Sequence, residues 1–225
     1  MSDSKPFTWS HSSLKNFETC PRQYHATKVL KLYPYEESAA AKYGNEVHKA
    51  IELYALGQAP FPPVHAKFKP AVDAVLAKPG RKLPEHRMGV TRDLQPCEFF
   101  AKDVWVRGVA DLLVVDDDDL RAWVVDWKTG GNKYPDLDQL KLMALMVFTH
   151  FPHIRKVSAA LLFLVPGTMN KTTVTREEFE DGWWRYRERT SKIEAAMAHD
   201  VWNPKPSGLC KKHCPHTPCE FNGRH

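Results

Sequence analysis

Two apolar runs in this chain each carry an aspartate, and together they restrict the fold more than any other feature. Val104–Val115 and Ala122–Trp127 have the β-branched, apolar make-up of strands, and Asp116-Asp-Asp-Asp119 between them reads as a solvated hairpin turn, because turns collect aspartates for backbone reasons. Asp111 lies inside the first run and Asp126 near the end of the second. An unpaired carboxylate in such a setting is costly, and a shared divalent cation is the usual way to make two of them tolerable. Lys128 follows Asp126 by two residues, so strand alternation keeps both side chains on one face. The hairpin therefore brings two acids and a lysine to one point.

Helical patterns surround this hairpin. Ser10 or Ser12 can cap a first helix running through Leu14, Phe17 and Tyr24, with Cys20-Pro21-Arg22 in or near its end. Glu36–Leu56 reads as a long helix with Val47, Ile51, Leu53 and Tyr54 at helical spacing, and Gly57 offers its stop. Prolines punctuate the stretch from Gln58 to about Pro84, leaving room for a short helix around Ala71–Ala77. Further strands are expected near His86–Val90, Glu98–Lys102 and Ser158–Val165. The segment Leu137–His150 is densely apolar and reads as a helix buried on more than one side. Thr175 with Glu178 forms a capping box opening a helix that runs through Ala198. This order predicts an α/β (α+β) architecture, a mixed central sheet flanked by helices.

The chain's 225 residues suffice for one domain with a full core and are few for two. We expect a single domain over 1–225, divided into N-terminal helices (8–57), a catalytic core (85–170), a long helix (175–200) and a Cys-rich tail (201–225). No apolar stretch could span a bilayer, and Met1–Pro6 has no signal-peptide character, so a cytoplasmic protein without membrane association is expected. Five cysteines, an odd number, in a reducing compartment argue for thiols or metal ligands over disulfides. The formal net charge of +5 is compatible with a polyanionic partner but does not point to one.

Five segments, in order, resemble the RecB-type branch of the PD-(D/E)XK nuclease superfamily. They are Ser12-Ser-Leu-Lys-Asn-Phe-Glu-Thr-Cys20-Pro-Arg22, Gly44-Asn-Glu-Val-His48-Lys-Ala-Ile51-Glu52, Gly108-Val-Ala-Asp111, Val124-Val-Asp126-Trp-Lys128-Thr-Gly130 and Gln139-Leu140. Each alone is weak, but five on suitable elements form a specific pattern covering most of the chain. The resemblance implies a restriction-endonuclease-like sheet and a metal-dependent DNA nuclease. It implies a ligand set of His48, Asp111, Asp126 and the Trp127 main-chain carbonyl, with Asp111, Asp126, Lys128 and Gln139 as catalytic residues. Carboxylates and a carbonyl suit Mg2+, and an added imidazole favours Mn2+, in one or two ions. By itself a histidine on a mixed helix is most often structural; its place in Gly-x-x-x-His-x-x-Ile-Glu marks His48. Glu52, one turn on, is either a supporting partner of the site or a solvated helix acid. Similar nucleases often carry a tyrosine four residues after the glutamine, where this chain has Met143.

Cys20 with Cys210, Cys214 and Cys219 resembles the four-cysteine site of the iron–sulfur members, including stand-alone phage and CRISPR-adaptation-like exonucleases. In those the cluster staples the C-terminal tail to the first helix. A 4Fe-4S cluster is expected ahead of zinc, for which His213 and His216 offer alternative ligands, and reduced free thiols are the plain alternative. Cys97 reads as a small core residue. Trp183, Trp184 and Tyr186 could stack on bases, but a core-facing helix stripe is the simpler reading.

These readings lead to an expected exonuclease or end-processing enzyme of recombination, repair or phage DNA metabolism, in a bacterial or phage-infected cytoplasm. Its partner is DNA at ends or single strands with little sequence specificity, and a recombination or replication protein is a possible second partner. No base-reading element is visible, so binding should rest on phosphate contacts. The rival is a non-catalytic DNA- or protein-binding module on the same fold; retention of Asp111, Asp126 and Lys128 together argues against it.

Overall fold

The computed structural model describes residues 7–34, 36–118 and 120–223. Asp119, the last acid of the expected turn, and the Met1–Pro6 segment lie outside the described residues. Two compact units share the chain, the first spanning 1–8 and 37–183 and the second 9–36 and 184–225.

The first unit is built on a six-stranded sheet in the order β2-β1-β3-β4-β5-β6. The strands are β1 (Arg81–Thr91), β2 (Pro96–Cys97), β3 (Val104–Val115), β4 (Arg121–Lys128), β5 (Lys156–Phe163) and β6 (Thr168–Thr175). All neighbours pair antiparallel except β4 and β5, which are parallel. A parallel pair needs a crossover connection, and α5 (Leu137–His150) supplies it between those two strands. The sheet is thus mixed and flanked by helices, the architecture the sequence predicts.

One face of the sheet is covered by α3 (Ala39–Ala55) and α4 (Lys69–Leu76). Val47 and Ile51 from α3 and Val72 and Val75 from α4 form a common core with Leu112, Val114, Val125, Trp127 and Leu162. Because strand side chains alternate, Asp126 and Leu161 turn to the other face, where α5 is buried along most of its length. Gly108 lets α5 approach β3 closely. A Cβ there would sit 2.3 Å from Met143 Cε and 2.8 Å from Met146 Sδ. Since both clashing atoms end flexible side chains, Gly108→Ala should cost about 1–3 kcal/mol through overpacking, read as an earlier urea midpoint with an unchanged slope.

Several boundaries differ from the sequence reading. The first helix stops at Thr19 instead of continuing through Tyr24: α1 (His11–Thr19) ends at Cys20, and Pro21 opens a separate short helix, α2 (Pro21–Tyr24). Proline is well placed at a first helical position and poorly placed inside a helix, which explains the break. The long helix begins at Ala39, capped by Ser38, and not at Glu36. The expected strand Glu98–Lys102 is a turn closed by Ala101 N–H donating to Glu98 O at 2.9 Å, with pairing confined to Pro96–Cys97. β6, absent from the sequence reading, pairs along all of β5. The hairpin's Asp116 is not solvated; it is buried and pairs with Arg121 Nε at 3.0 Å.

In the second unit, Leu14 and Phe17 of α1 are buried, and Tyr24 stacks on Trp202. Arg189, on the C-terminal half of α6 (Phe179–His199), grips Glu18 with two hydrogen bonds of 2.6 and 2.9 Å. The tail is tied to α1 by Lys205 Nζ, which donates to Glu18 O at 2.7 Å.

Candidate active site

The site forms in the first unit, where β3, β4, α3 and α5 each deliver one or two polar side chains. Asp111 and Asp126 are held by different donors. The Trp127 backbone N–H donates to Asp111 Oδ2 at 2.8 Å, so the residue following Asp126 fixes the neighbouring strand's acid. Gln139 Nε2 donates to Asp126 Oδ1 at 2.6 Å from the first turn of α5. Lys128 Nζ stands 2.5 Å from Asp126 Oδ2, an ion pair whose alignment leaves that buried oxygen without a proper hydrogen bond. His48 Nδ1 lies 3.4 Å from Asp111 Oδ2. Gly44, one turn before His48, makes this approach of α3 to the strand end possible: a Cβ there would come within 3.2 Å of Thr129 Oγ1.

Every residue expected from the sequence to serve the site therefore lies within this one neighbourhood: His48, Asp111, Asp126, the Trp127 backbone, Lys128 and Gln139. Glu52 is not central. It pairs with Lys49 Nζ at 2.8 Å, although its charge is felt at the site's rim. Met143, where similar nucleases often have tyrosine, is buried against Gly108 and belongs to the core.

Glu85 is the residue that sequence reasoning missed. It occupies β1 between Pro84, paired with Leu112, and His86, paired with Ala110, and thus stands opposite Asp111. Its φ of 48° is left-handed, a conformation that costs a non-glycine residue energy and gathers at functional sites. His48, Glu85 and Asp111 offer donor atoms that all lie within 4.8 Å of one another. The only signal in the sequence was a lone acid beside Pro84, which carries no weight without strand register.

Electrostatics describe a site short of positive charge. Burial, then repulsion from Asp111, push the Asp126 carboxyl up to about 6, against the lowering pull of Lys128 and His48. Burial likewise raises Glu85, with Asp111 and Glu52 adding to it. Burial, the largest single effect, opposes the charged form of His48, but Asp111, Asp126 and the Trp127 backbone together outweigh it and the net shift is upward. Carboxylates driven above their ordinary range and an imidazole driven toward its cationic form follow from burying acids side by side, and a bound cation would relieve that repulsion. The donor set of oxygens with one imidazole fits a divalent ion of the Mg2+ or Mn2+ kind.

The second unit gathers the other predicted group. Cys20, Cys210, Cys214 and Cys219 line one pocket, and Cys214 lies close enough to feel the charge of the other three. Backbone N–H groups point at two of the sulfurs, Lys205 at Cys20 and Ser207 at Cys210, each at 3.4 Å. Arg22 Nη1 approaches Cys219 Sγ at 3.9 Å. His216 also lines the pocket, with Nδ1 engaged by Tyr33 OH at 3.1 Å, whereas His213 is exposed. Cys97 sits apart, on β2 opposite Gly89. Trp183 and Tyr186 are buried and Trp184 is exposed, so the core-facing reading holds for the first two.

A family model of the PD-(D/E)XK nuclease superfamily matches residues 8–219. Among solved structures, a candidate exonuclease from Eubacterium rectale superposes with a TM-score of 0.54 at 12% identity, covering 93% of this chain and 88% of that one. The structure of SSO0001 superposes with a TM-score of 0.44 at 16% identity, over 99% of this chain and 89% of that one. No curated protein matches the sequence. At such identities the structural likeness speaks to fold alone.

Proposed function

Since the chain belongs to the PD-(D/E)XK nuclease superfamily, we propose that it is a metal-dependent deoxyribonuclease acting at DNA ends, in recombination, repair or phage DNA metabolism in the cytoplasm. The observation that carries this reading is the pairing of Lys128 with the buried carboxylate of Asp126, beside Asp111 and His48. A subunit that merely held DNA would have no use for a buried acid raised to about 6.

His48, Asp111, Asp126 and the Trp127 carbonyl would hold the ion, with Glu85 as an added carboxylate. Held there, a divalent ion would offset negative charge on the scissile phosphate and make a neighbouring water more acidic. The protein's own groups then do the positioning. Gln139 and the Trp127 N–H lock the two carboxylates in orientation, so little reorganisation is left for the moment of reaction. Lys128, half-exposed at the end of β4, can leave Asp126 to orient the attacking water or to offset negative charge on the phosphate.

In the second unit the reading assigns a 4Fe-4S cluster to Cys20, Cys210, Cys214 and Cys219. N–H groups aimed at sulfur are the kind of contact that tunes such centres.

The test is digestion of end-labelled linear DNA and closed circular DNA by the same preparation with Mg2+ or Mn2+. Degradation of the linear form with circles left intact is expected. Circles cut as readily as linear molecules would contradict action at ends.

A further inference from the structure

The turn between β2 and β3 places two phenylalanines where turns usually carry polar residues. Glu98–Ala101 closes this turn, and Phe99 and Phe100 are its two central residues. The rings meet edge to face with centroids 4.9 Å apart, and Phe100 is 71% exposed. Two adjacent aromatic side chains in one turn, one of them exposed, offer a ring face to solvent.

The surroundings carry both signs of charge: Glu98 and Asp103 lie in and beside the turn, and two arginines meet the rings. The Arg107 guanidinium lies 5.6 Å from the Phe99 centroid and 5.2 Å from that of Phe100, and Arg87 lies 5.7 Å from Phe99. Arg107 Nε is buried without a hydrogen-bond partner, and among the described residues Arg107 forms no ion pair. Arg87 is exposed, and its charge reaches Glu85 at the metal-binding edge of the site. Arg87, Phe99, Arg107 and Phe100 thus form one patch on β1, β3 and the turn before β3, and those two strands also carry Glu85 and Asp111.

We propose that Phe100, backed by Arg107 and Arg87, is a platform on which an unpaired base of the DNA substrate stacks. The arginines take the phosphates on either side. A ring face accepts any base, so the platform favours single-stranded ends without reading sequence. The inference rests on the nuclease reading and adds to it a substrate form and the residues that select it.

The test uses the full chain carrying Lys128→Ala, so that binding can be followed without cleavage. Affinity is measured by fluorescence anisotropy for a labelled oligothymidylate and for a blunt duplex. Adding Phe100→Ala should weaken single-strand binding by roughly ten-fold or more while leaving duplex binding unchanged. Phe100→Trp should preserve it. A single abasic site moved along the strand should weaken binding at one position, and this dependence should vanish with Phe100→Ala. Exposure of the ring means thermal unfolding should be unaffected by either change. If Phe100→Ala binds the single strand as tightly as its parent while the wild type still cleaves DNA, the platform is wrong and the nuclease reading stands. If the parent binds no DNA and the wild type cleaves none, both fall.

Discussion

Asp126→Asn is expected to abolish hydrolysis, by at least ~10³-fold, and to make the metal-free protein more stable at pH 7. The two effects have one cause. In the folded chain burial, reinforced by Asp111, raises the Asp126 carboxyl to about 6, above its value in an unfolded chain. A group with a raised folded pKa adds stability that is fully present below the unfolded pKa and is lost as pH rises through the folded one. For Asp126 that window runs from about pH 4 to about pH 6. At pH 7 the wild type therefore carries a cost on the order of 1–3 kcal/mol in the absence of metal. Asparagine keeps an acceptor for Gln139 and removes the charge, although Lys128 loses its partner. The expected net gain is about 1 kcal/mol at pH 7, shrinking toward pH 5, measured by urea unfolding in the presence of a chelator. Added Mn2+ should stabilise the wild type by mass action and leave the variant unmoved. A variant less stable than wild type at pH 7 without metal would show that the cluster is not electrostatically strained.

Cys214→Ser should have the largest structural effect, and the effect should be confined to the second unit. Cys214 is buried; burial raises its thiol, and the three neighbouring cysteines push further in the same direction. In the proposed cluster site the four would bind as thiolates, which only a cation makes tolerable, and the free energy of metal binding would then be folding free energy. Apart from the cysteines the tail is held by side-chain contacts, with Trp202 on Tyr24 and Lys205 on Glu18 O among them. Its described structure past α6 is a single short helical turn, Gly208–Lys211, with hydrogen bonds such as Asn222 Nδ2 to Cys214 O and Gly223 N to Cys210 O. Losing the staple should cost several kcal/mol locally, read as rapid proteolysis of the tail and loss of the brown absorption near ~400 nm expected of an iron–sulfur protein. Cys97→Ser, on β2 in the first unit, should change neither. A colourless anaerobic preparation with stoichiometric zinc would overturn the cluster while keeping the staple.

The site was legible in the sequence because its chemistry is local. Asp126 and Lys128 are two residues apart on one strand, Asp111 sits across a hairpin, and His48 and Gln139 lie on helices with marked patterns. Glu85 was not, because its role depends on register. Only the pairing of Pro84 with Leu112 and His86 with Ala110 puts it opposite Asp111, and no local pattern encodes that. β6 escaped for a different reason. Thr168-Met-Asn-Lys-Thr-Thr-Val-Thr175 is a polar edge strand whose stability comes from pairing with β5, so it lacks the apolar alternation that marks a strand. The turn at Glu98–Ala101 misled in the opposite sense: Phe99 and Phe100 carry β-propensity, yet they serve no ladder.

The most direct measurement of the central claim is release of label from a linear DNA by wild type and by Lys128→Ala, each with Mn2+, with Mg2+ and with chelator. Lys128 is half-exposed, and its ammonium pairs with Asp126, so its loss should leave the fold intact. The account predicts metal-dependent hydrolysis by the wild type, none with chelator, and a loss of at least ~10³-fold in the variant at unchanged metal dependence. Hydrolysis that survives in Lys128→Ala at the wild-type rate, or no hydrolysis by the wild type with either ion, would contradict it.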